Sequence, residues 1–330
     1  MDRPWGRPDA ATAAVRVAVR AALADAVPGE LVLVACSGGA DSLALAAATS
    51  VEARAAGIRA GAVVVDHGLQ AGSATVASAA AAMLRGLGLD PVEVATVSVE
   101  TAGEGLEAAA RTARYAALDA CADRLGATAV LLGHTRDDQA EQVLLGLVRG
   151  AGSRSLAGMP SARGRYRRPL LGVSREQCRA AVGAEGLTWW DDPMNDDPAY
   201  ARVRARQALA DLERDLGPGV IASLARSADH LRDDADLLDS LADEAVTALG
   251  AGPWEAAELA AVARPVRTRV WRRLLVDAGA RGGQVGSRHT DACDRLLTAW
   301  HGQGPVHAPG DLRVSRTGGR VSIVPAGPLE

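Results

Sequence analysis

Three short segments concentrate the side chains capable of chemistry: Ser37-Gly38-Gly39-Ala40-Asp41-Ser42, Asp66-His67-Gly68-Leu69, and His134-Thr135-Arg136-Asp137-Asp138-Gln139-Ala140-Glu141. The first reads as an anion site. Its glycines let the backbone approach a phosphate, the free N–H groups of a helix start point at it, and the helix dipole adds positive potential. Ser37 and Ser42 can donate hydroxyl hydrogen bonds, while Asp41 can cap a helix or hold a metal. A capped helix after a glycine turn would use the same residues. The β-branched run just before them and the helical Leu43–Ala48 just after favour the phosphate reading. In the third segment, Asp138 and Glu141 are helix neighbours at i, i+3, although acidic residues in a first turn are also ordinary dipole partners. Carboxylates beside a polyphosphate require a hard cation between them. Mg²⁺ held by one or two carboxylates plus phosphate oxygens meets that need, with Asp41 and Asp138 as the expected pair.

Strands and helices must bring these segments together. Leu31–Cys36, Gly61–Asp66, Val92–Val99 and Ala129–Gly133 read as strands, and residues 41–56, 71–88 and 104–125 as helices. Such alternation implies a parallel sheet covered on both faces. Ligands bind beyond the carboxyl ends of the strands in such a sheet, and all three segments fall there. A further helix is expected at 174–186. Val220–Leu249 reads as one long amphipathic helix, with Leu224, Leu231 and Leu238 spaced by sevens as in a bundle. Helices at 264–278 and 288–301 and β-like pieces such as Val321–Val324 follow. The expected organisation is an α/β domain over residues 1–210 and a smaller, mainly helical domain over 211–330.

Composition narrows the chemistry. The 330-residue chain contains no Lys, so all 36 basic residues are Arg. A Walker-type phosphate lysine is therefore impossible, and a nucleotide site must rely on backbone amides, Arg and metal. The net charge of −4 argues against a wholesale nucleic-acid coat but allows a local basic patch. Cys36, Cys121, Cys178 and Cys293 are scattered, which opposes a zinc ribbon, an iron–sulfur cluster or a disulfide framework and suits a reducing cytosol. The N-terminus lacks signal-peptide order, and no apolar run reaches the ~20 residues of a membrane span. A soluble, cytoplasmic protein without a membrane partner is expected.

The Ser37–Ser42 segment resembles the PP-loop of the ATP pyrophosphatases, which cleave ATP to AMP and pyrophosphate and use AMP to activate a carbonyl-like oxygen. Val-Asp66-His67-Gly68-Leu69 and Gly-His134…Asp137-Asp138-Gln-Ala-Glu141 sharpen this to a resemblance to the tRNA(Ile)-lysidine synthase family. Glu107…Arg111…Arg114-Tyr115, Arg149-Gly150…Gly152…Leu156-Ala-Gly158-Met159, Arg168-Pro169-Leu170-Leu171 and Asp191-Asp192-Pro193…Asn195 fit it as well. The resemblance spans residues 31–206. It implies a Rossmann-like PP-loop fold of the adenine nucleotide alpha hydrolase type. It also implies ATP and Mg²⁺ as cofactors, and as substrates free L-lysine and tRNA(Ile) with a CAU anticodon. In that chemistry the C2 oxygen of the wobble cytidine is adenylated and then replaced by the lysine ε-amino group. Ser37, Gly38, Gly39, Ala40, Asp41, Ser42 and Asp66 would bind the nucleotide, with Asp41 and Asp138 on Mg²⁺. Glu141 would orient the lysine ammonium or join the metal site, and His134 and Arg111 would contact ATP or cytidine. Whether the chain pairs as a homodimer is left open.

The RNA needs a basic surface despite the acidic total. Residues 146–180 carry Arg149, Arg154, Arg163, Arg165, Arg167, Arg168, Arg175 and Arg179 against Glu176 alone. A solvated loop would read the same, yet an arginine-rich loop suits an RNA backbone. Arg163, Arg165 and Arg167, and the cluster Arg202, Arg204 and Arg206, are the expected tRNA contacts. The family's Arg-Asn-x-x-Arg pattern is broken here by Val203. Arg264, Arg267, Arg269, Arg272 and Arg273 would give the second domain a tRNA-facing side. Trp189 and Trp190 suit base stacking or core packing. Two rivals remain. A PP-loop thiolation enzyme of the 2-thiocytidine type is opposed by the scattered cysteines. A non-catalytic, nucleotide-gated RNA-binding protein would have little use for the acidic groups at three strand ends.

Overall fold

The computed structural model describes residues 8–68, 72–98, 106–150 and 152–326. Leu69, Val99 and residues 71 and 104–105 lie outside that set, as do the side chains of Glu107 and Asn195. Two compact units divide the chain, Met1–His230 and Leu231–Glu330.

In the first unit, α1 (Ala10–Ala22) precedes β1 (Leu31–Cys36), α2 (Ala40–Ala55), β2 (Arg59–Asp66), α3 (Ser73–Gly86), β3 (Val92–Thr96), α4 (Leu106–Leu125), β4 (Ala127–Leu132) and α5 (Arg136–Val148). A short turn of helix, α6 (Ser153–Leu156), leads to a hairpin of β5 (Ala162–Arg163) and β6 (Tyr166–Arg167), then to α7 (Arg175–Ala184), α8 (Ala201–Leu216) and α9 (Val220–Leu249), most of which belongs to the second unit. The six strands form one sheet in the order β3-β2-β1-β4-β6-β5, parallel except for β5.

The β1 and β4 runs are almost continuously apolar because both faces of the sheet are covered. Alternate residues go opposite ways: Val32, Val34 and Leu131 join Val15, Leu43, Leu45 and Val182 on one side. Leu31, Leu33 and Val130 meet Leu118 and Ala122 of α4 on the other. The helix α1 was not expected. Its Arg16 and Arg20, which interrupt the Ala/Val run in sequence, clamp the buried Glu52 of α2 through their Nε atoms at 2.6 and 2.7 Å.

The second unit continues with β7 (Trp254–Glu255), α10 (Ala256–Ala261), α11 (Arg264–Asp277), α12 (Ser287–Thr298), β8 (Val306–Ala308), β9 (Leu312–Thr317) and β10 (Arg320–Pro325). Beside its helices stands a four-stranded antiparallel sheet, β7-β10-β9-β8, of which the sequence reading located the last strand. Most of the α11 arginines are engaged within the unit. Arg267 is buried against Asp294 at 2.6 Å, Arg269 pairs with Asp239 at 2.9 Å, Arg273 pairs with Asp243, and Arg272 donates to the carbonyls of Val285 and Gly282. Among the described residues no helix is long and apolar enough to cross a membrane.

Candidate active site

The strand order reverses direction between β1 and β4, so the crevice beyond their carboxyl ends is the place where this topology seats a ligand. The Ser37–Ser42 loop turns there. Gly38 takes a left-handed φ of 84°, which a side chain would strain. Gly39 then begins α2 without a side-chain cap, leaving the first-turn N–H groups for an outside acceptor. Ser42 Oγ closes the loop, donating to the Gly39 carbonyl at 2.9 Å and accepting from the Ser37 N–H at 3.2 Å. Gly133, at the end of β4, lets that strand touch the loop: a Cβ there would stand 3.1 Å from Ser42 Cα. The Trp190 N–H donates to the Gly38 carbonyl at 3.0 Å, so the 189–190 segment braces the loop, with Trp189 partly packed on the core.

Asp41, in the first turn of α2, faces Asp138 and Glu141 of α5. Thr135 caps α5 in a reciprocal box, its N–H and Oγ1 donating to Asp138 Oδ2 at 2.8 and 3.0 Å. Asp138 is thus both helix cap and site residue. Between the three carboxylates lies Arg175, a residue that sequence reasoning placed only within an arginine-rich stretch. Its Nη2 donates to Asp138 Oδ1 at 2.9 Å and to Glu141 Oε1 at 3.1 Å, and its Nε is 3.6 Å from Asp41 Oδ2. The first turn of α7 aims it there: Ser174 caps that helix, and the Arg175 backbone N–H donates to Asp137 Oδ2 at 2.9 Å. Arg206 of α8 donates to Glu141 Oε1 at 3.0 Å.

The electrostatics mark this as an uncompensated site. Burial raises the Asp41 carboxyl to about 6; Arg175 pulls it down, and Asp138 and Asp137 push it up. Burial also works against ionised Asp138, but Arg175, the Thr135 donors and His134 outweigh it and hold that carboxyl below its ordinary value. Burial disfavours the charge on Arg175, yet Asp138, Glu141 and Asp41 keep its pKa above the ordinary one. Two buried carboxylate oxygens, Asp41 Oδ1 and Glu141 Oε2, have no hydrogen-bond partner. Such orphaned oxygens fit a hard cation. Among the described residues, however, no three His, Cys, Asp or Glu side chains form a cage for one, so phosphate oxygens would have to complete its shell.

His134 is half-buried just beyond β4, its Nδ1 enclosed and unpartnered, and its pKa is lowered to about 4, chiefly by desolvation. Asp138 opposes that shift, while Arg168, Arg202 and Arg111 reinforce it. Asp66 is buried at the end of β2 and accepts from the Gly68 N–H at 3.0 Å. The neighbouring His67 Nε2 accepts from Arg114 Nε at 3.3 Å. Arg111 lies over the Tyr115 ring, 5.0 Å from its centroid.

The expected RNA-contacting arginines separate. Arg163 is exposed on the hairpin. Arg165 pairs with Asp123 at 2.6 Å and stands 3.7 Å from Asp119. Arg167 turns to the far side, where it pairs with Asp25 and donates to the Ala22 carbonyl at 2.8 Å. On α8, Arg206 reaches Glu141 of the site and Arg202 is half-buried, whereas Arg204 donates to the carbonyls of Pro198 and Ala199. Val203 is buried in the core. The four cysteines are buried free thiols. Cys36 Sγ donates to Ser42 Oγ at 3.3 Å as a packed thiol, and burial raises its pKa.

Residues 13–213 match the PP-loop domain family model. The chain is 55% identical over 319 residues to the tRNA(Ile)-lysidine synthase of Thermobifida fusca, covering 96% of this chain and 98% of that one. It is 56% identical over 299 residues to that of Streptomyces coelicolor, covering 89% of this chain and 85% of that protein. Among solved structures, the U34-tRNA thiolase NcsA from Methanococcus maripaludis with its [4Fe-4S] cluster superposes with a TM-score of 0.56. Its identity is 18%, over 67% of this chain and 79% of that one, a likeness of fold alone.

Proposed function

The chain belongs to the tRNA(Ile)-lysidine synthase family, and from that premise we infer that it ligates free L-lysine to C2 of the wobble cytidine in tRNA(Ile) with a CAU anticodon. The observation that carries this reading is the convergence of an uncapped phosphate loop, Ser37–Ser42, with Asp41, Asp138 and Glu141 at the β1/β4 crevice.

A pyrimidine C2 carbonyl is a poor electrophile. In the first step the cytidine O2 attacks the α-phosphorus of ATP, and the bond to the β-phosphate oxygen breaks to release pyrophosphate. The first-turn N–H groups of α2 bind the departing phosphates, joined by the Ser42 hydroxyl once it releases the Gly39 carbonyl. One well-aimed donor in such a site is typically worth about 3–4 kcal/mol. In the second step the lysine Nε, as the neutral amine after losing a proton to solvent, attacks C2. The C2–O2 bond breaks, O2 leaves within AMP, and the new C–N bond forms with release of a further amine proton to solvent. Glu141, with one buried oxygen free, orients the lysine ammonium or completes the cation shell. Asp41 and Asp138 would hold Mg²⁺, which neutralises phosphate charge when bound. Holding it requires Arg175 to yield Asp138 Oδ1. His134 stays neutral at physiological pH, as its burial dictates, and offers the nucleoside a hydrogen-bonding edge without added charge.

Residues 1–210 form the catalytic domain in this reading, and residues 211–330 support the tRNA. AMP and pyrophosphate release that requires both tRNA and lysine tests the proposal. Turnover indifferent to lysine contradicts it.

A further inference from the structure

A cavity of about 600 Å³ opens between α4 and the β5–β6 hairpin, with Arg111, Tyr115, Asp119, Arg163, Tyr166 and Arg168 among its walls. Arg168 differs from the other arginines around it. It is 6% exposed, yet among the described residues no carboxylate pairs with it. Its Nη1 donates to the Pro160 carbonyl at 3.0 Å and its Nη2 to Tyr115 Oη at 3.4 Å, both neutral acceptors, while Nε has no partner at all. A guanidinium carries five N–H donors, and a buried charge calls for a counter-charge. The one carboxylate on the cavity wall is already engaged: Asp119 Oδ1 accepts from Tyr166 Oη at 2.8 Å and stands 3.7 Å from Arg165 Nε. Among the described residues none supplies a counter-ion for Arg168, which leaves its buried charge open to an anion from outside. The forked donors of arginine match phosphate oxygens, and the cavity adds the exposed Arg163. The site adjoins the catalytic crevice, because β6 runs parallel to β4 with Arg167 opposite Leu131, which sets Arg168 beside Leu132, two residues before His134.

We propose that this cavity seats a backbone phosphodiester of the RNA substrate, at a linkage flanking the nucleoside that enters the crevice, with Arg168 as its buried anchor and Arg163 as its outer one. This inference rests on the tRNA reading above. It assigns to one buried residue a contact that fixes the register of the strand, a role typical of phosphate contacts.

The test pairs protein and RNA changes. Anticodon stem-loop RNAs, each with a single neutral methylphosphonate linkage, are bound to the wild-type protein and to Arg168→Gln. At one linkage, neutralisation weakens the wild type roughly tenfold, as loss of a charge-assisted hydrogen bond does, and leaves Arg168→Gln unaffected. Inorganic pyrophosphate, titrated separately, binds both proteins alike. If Arg168→Gln does not fold, Arg163→Gln, at an exposed position on the same cavity, must show its coupling at that linkage or the adjacent one. RNA binding without coupling at any linkage overturns the proposal, as does an effect confined to pyrophosphate. A wild-type protein that binds no RNA overturns both this inference and the tRNA reading.

Discussion

The Arg175 guanidinium donates to Asp138 Oδ1 at 2.9 Å from within the carboxylate cluster, where a metal shared by Asp41 and Asp138 would lie. Arginine and cation therefore compete for the same oxygen. In the nucleotide-free protein, Arg175→Met is expected to bind Mn²⁺ about tenfold more tightly, a change of ~1.4 kcal/mol. Electron paramagnetic resonance of free Mn²⁺ measures this. An unchanged affinity would show that Arg175 does not occupy the cation's place.

Asp41 is expected to be essential to the first step and dispensable for holding RNA. Asp41→Asn should abolish pyrophosphate release while leaving tRNA affinity within about twofold, since it removes an interaction used on the phosphates alone. Filter binding and a pyrophosphate assay separate the two effects. Surviving turnover would remove Asp41 from the metal site.

The hairpin arginines should differ in their salt signature. Arg163→Gln is expected to reduce the log–log salt slope of tRNA binding by roughly one unit, the value of one phosphate contact. Arg167→Gln should leave the slope unaltered, because its guanidinium is spent on Asp25 and the Ala22 carbonyl. Equal effects would mean that the hairpin rearranges on the RNA.

Such differences bear on what was legible beforehand. Ser37–Ser42, Asp66, His134 and Asp138 could be placed from sequence because each follows a β-run, and strand order alone carries strand ends to one crevice. Arg175 could not. It reaches Asp138 across 37 residues, and its direction is set by the Asp137 contact with its own N–H, a tertiary fact without a local pattern. Arg165 and Arg167 looked equivalent, but Arg165 lies in the hairpin turn and Arg167 in β6, and the acidic partners Asp123 and Asp25 fix them on different neighbours. Apart from the β-like piece at Val321–Val324, the second unit's sheet lacks a clear signal because its strands are short, two or three residues in β7 and β8.

The α1–α2 clamp gives a pH prediction for stability. Burial would raise the Glu52 carboxyl, but Arg20 and Arg16 prevail and hold it below its ordinary 4.5. The stability it contributes is therefore complete above pH 4.5 and is lost as pH falls through the folded-state value. Glu52→Gln should cost about 1–3 kcal/mol at pH 7, with a smaller deficit in acid. Thermal melts across pH check this, and a deficit independent of pH would exclude the charge as its cause.

The central claim is most directly tested by mass analysis of the nucleosides of an unmodified tRNA(Ile) with a CAU anticodon, after incubation with the protein, ATP, Mg²⁺ and isotopically labelled lysine. The expected product is a single cytidine whose C2 oxygen has been replaced by the lysine ε-amino nitrogen, carrying the full label, with AMP formed in equal amount. A cytidine bearing sulfur, or an unchanged wobble cytidine in a competent tRNA, would contradict it.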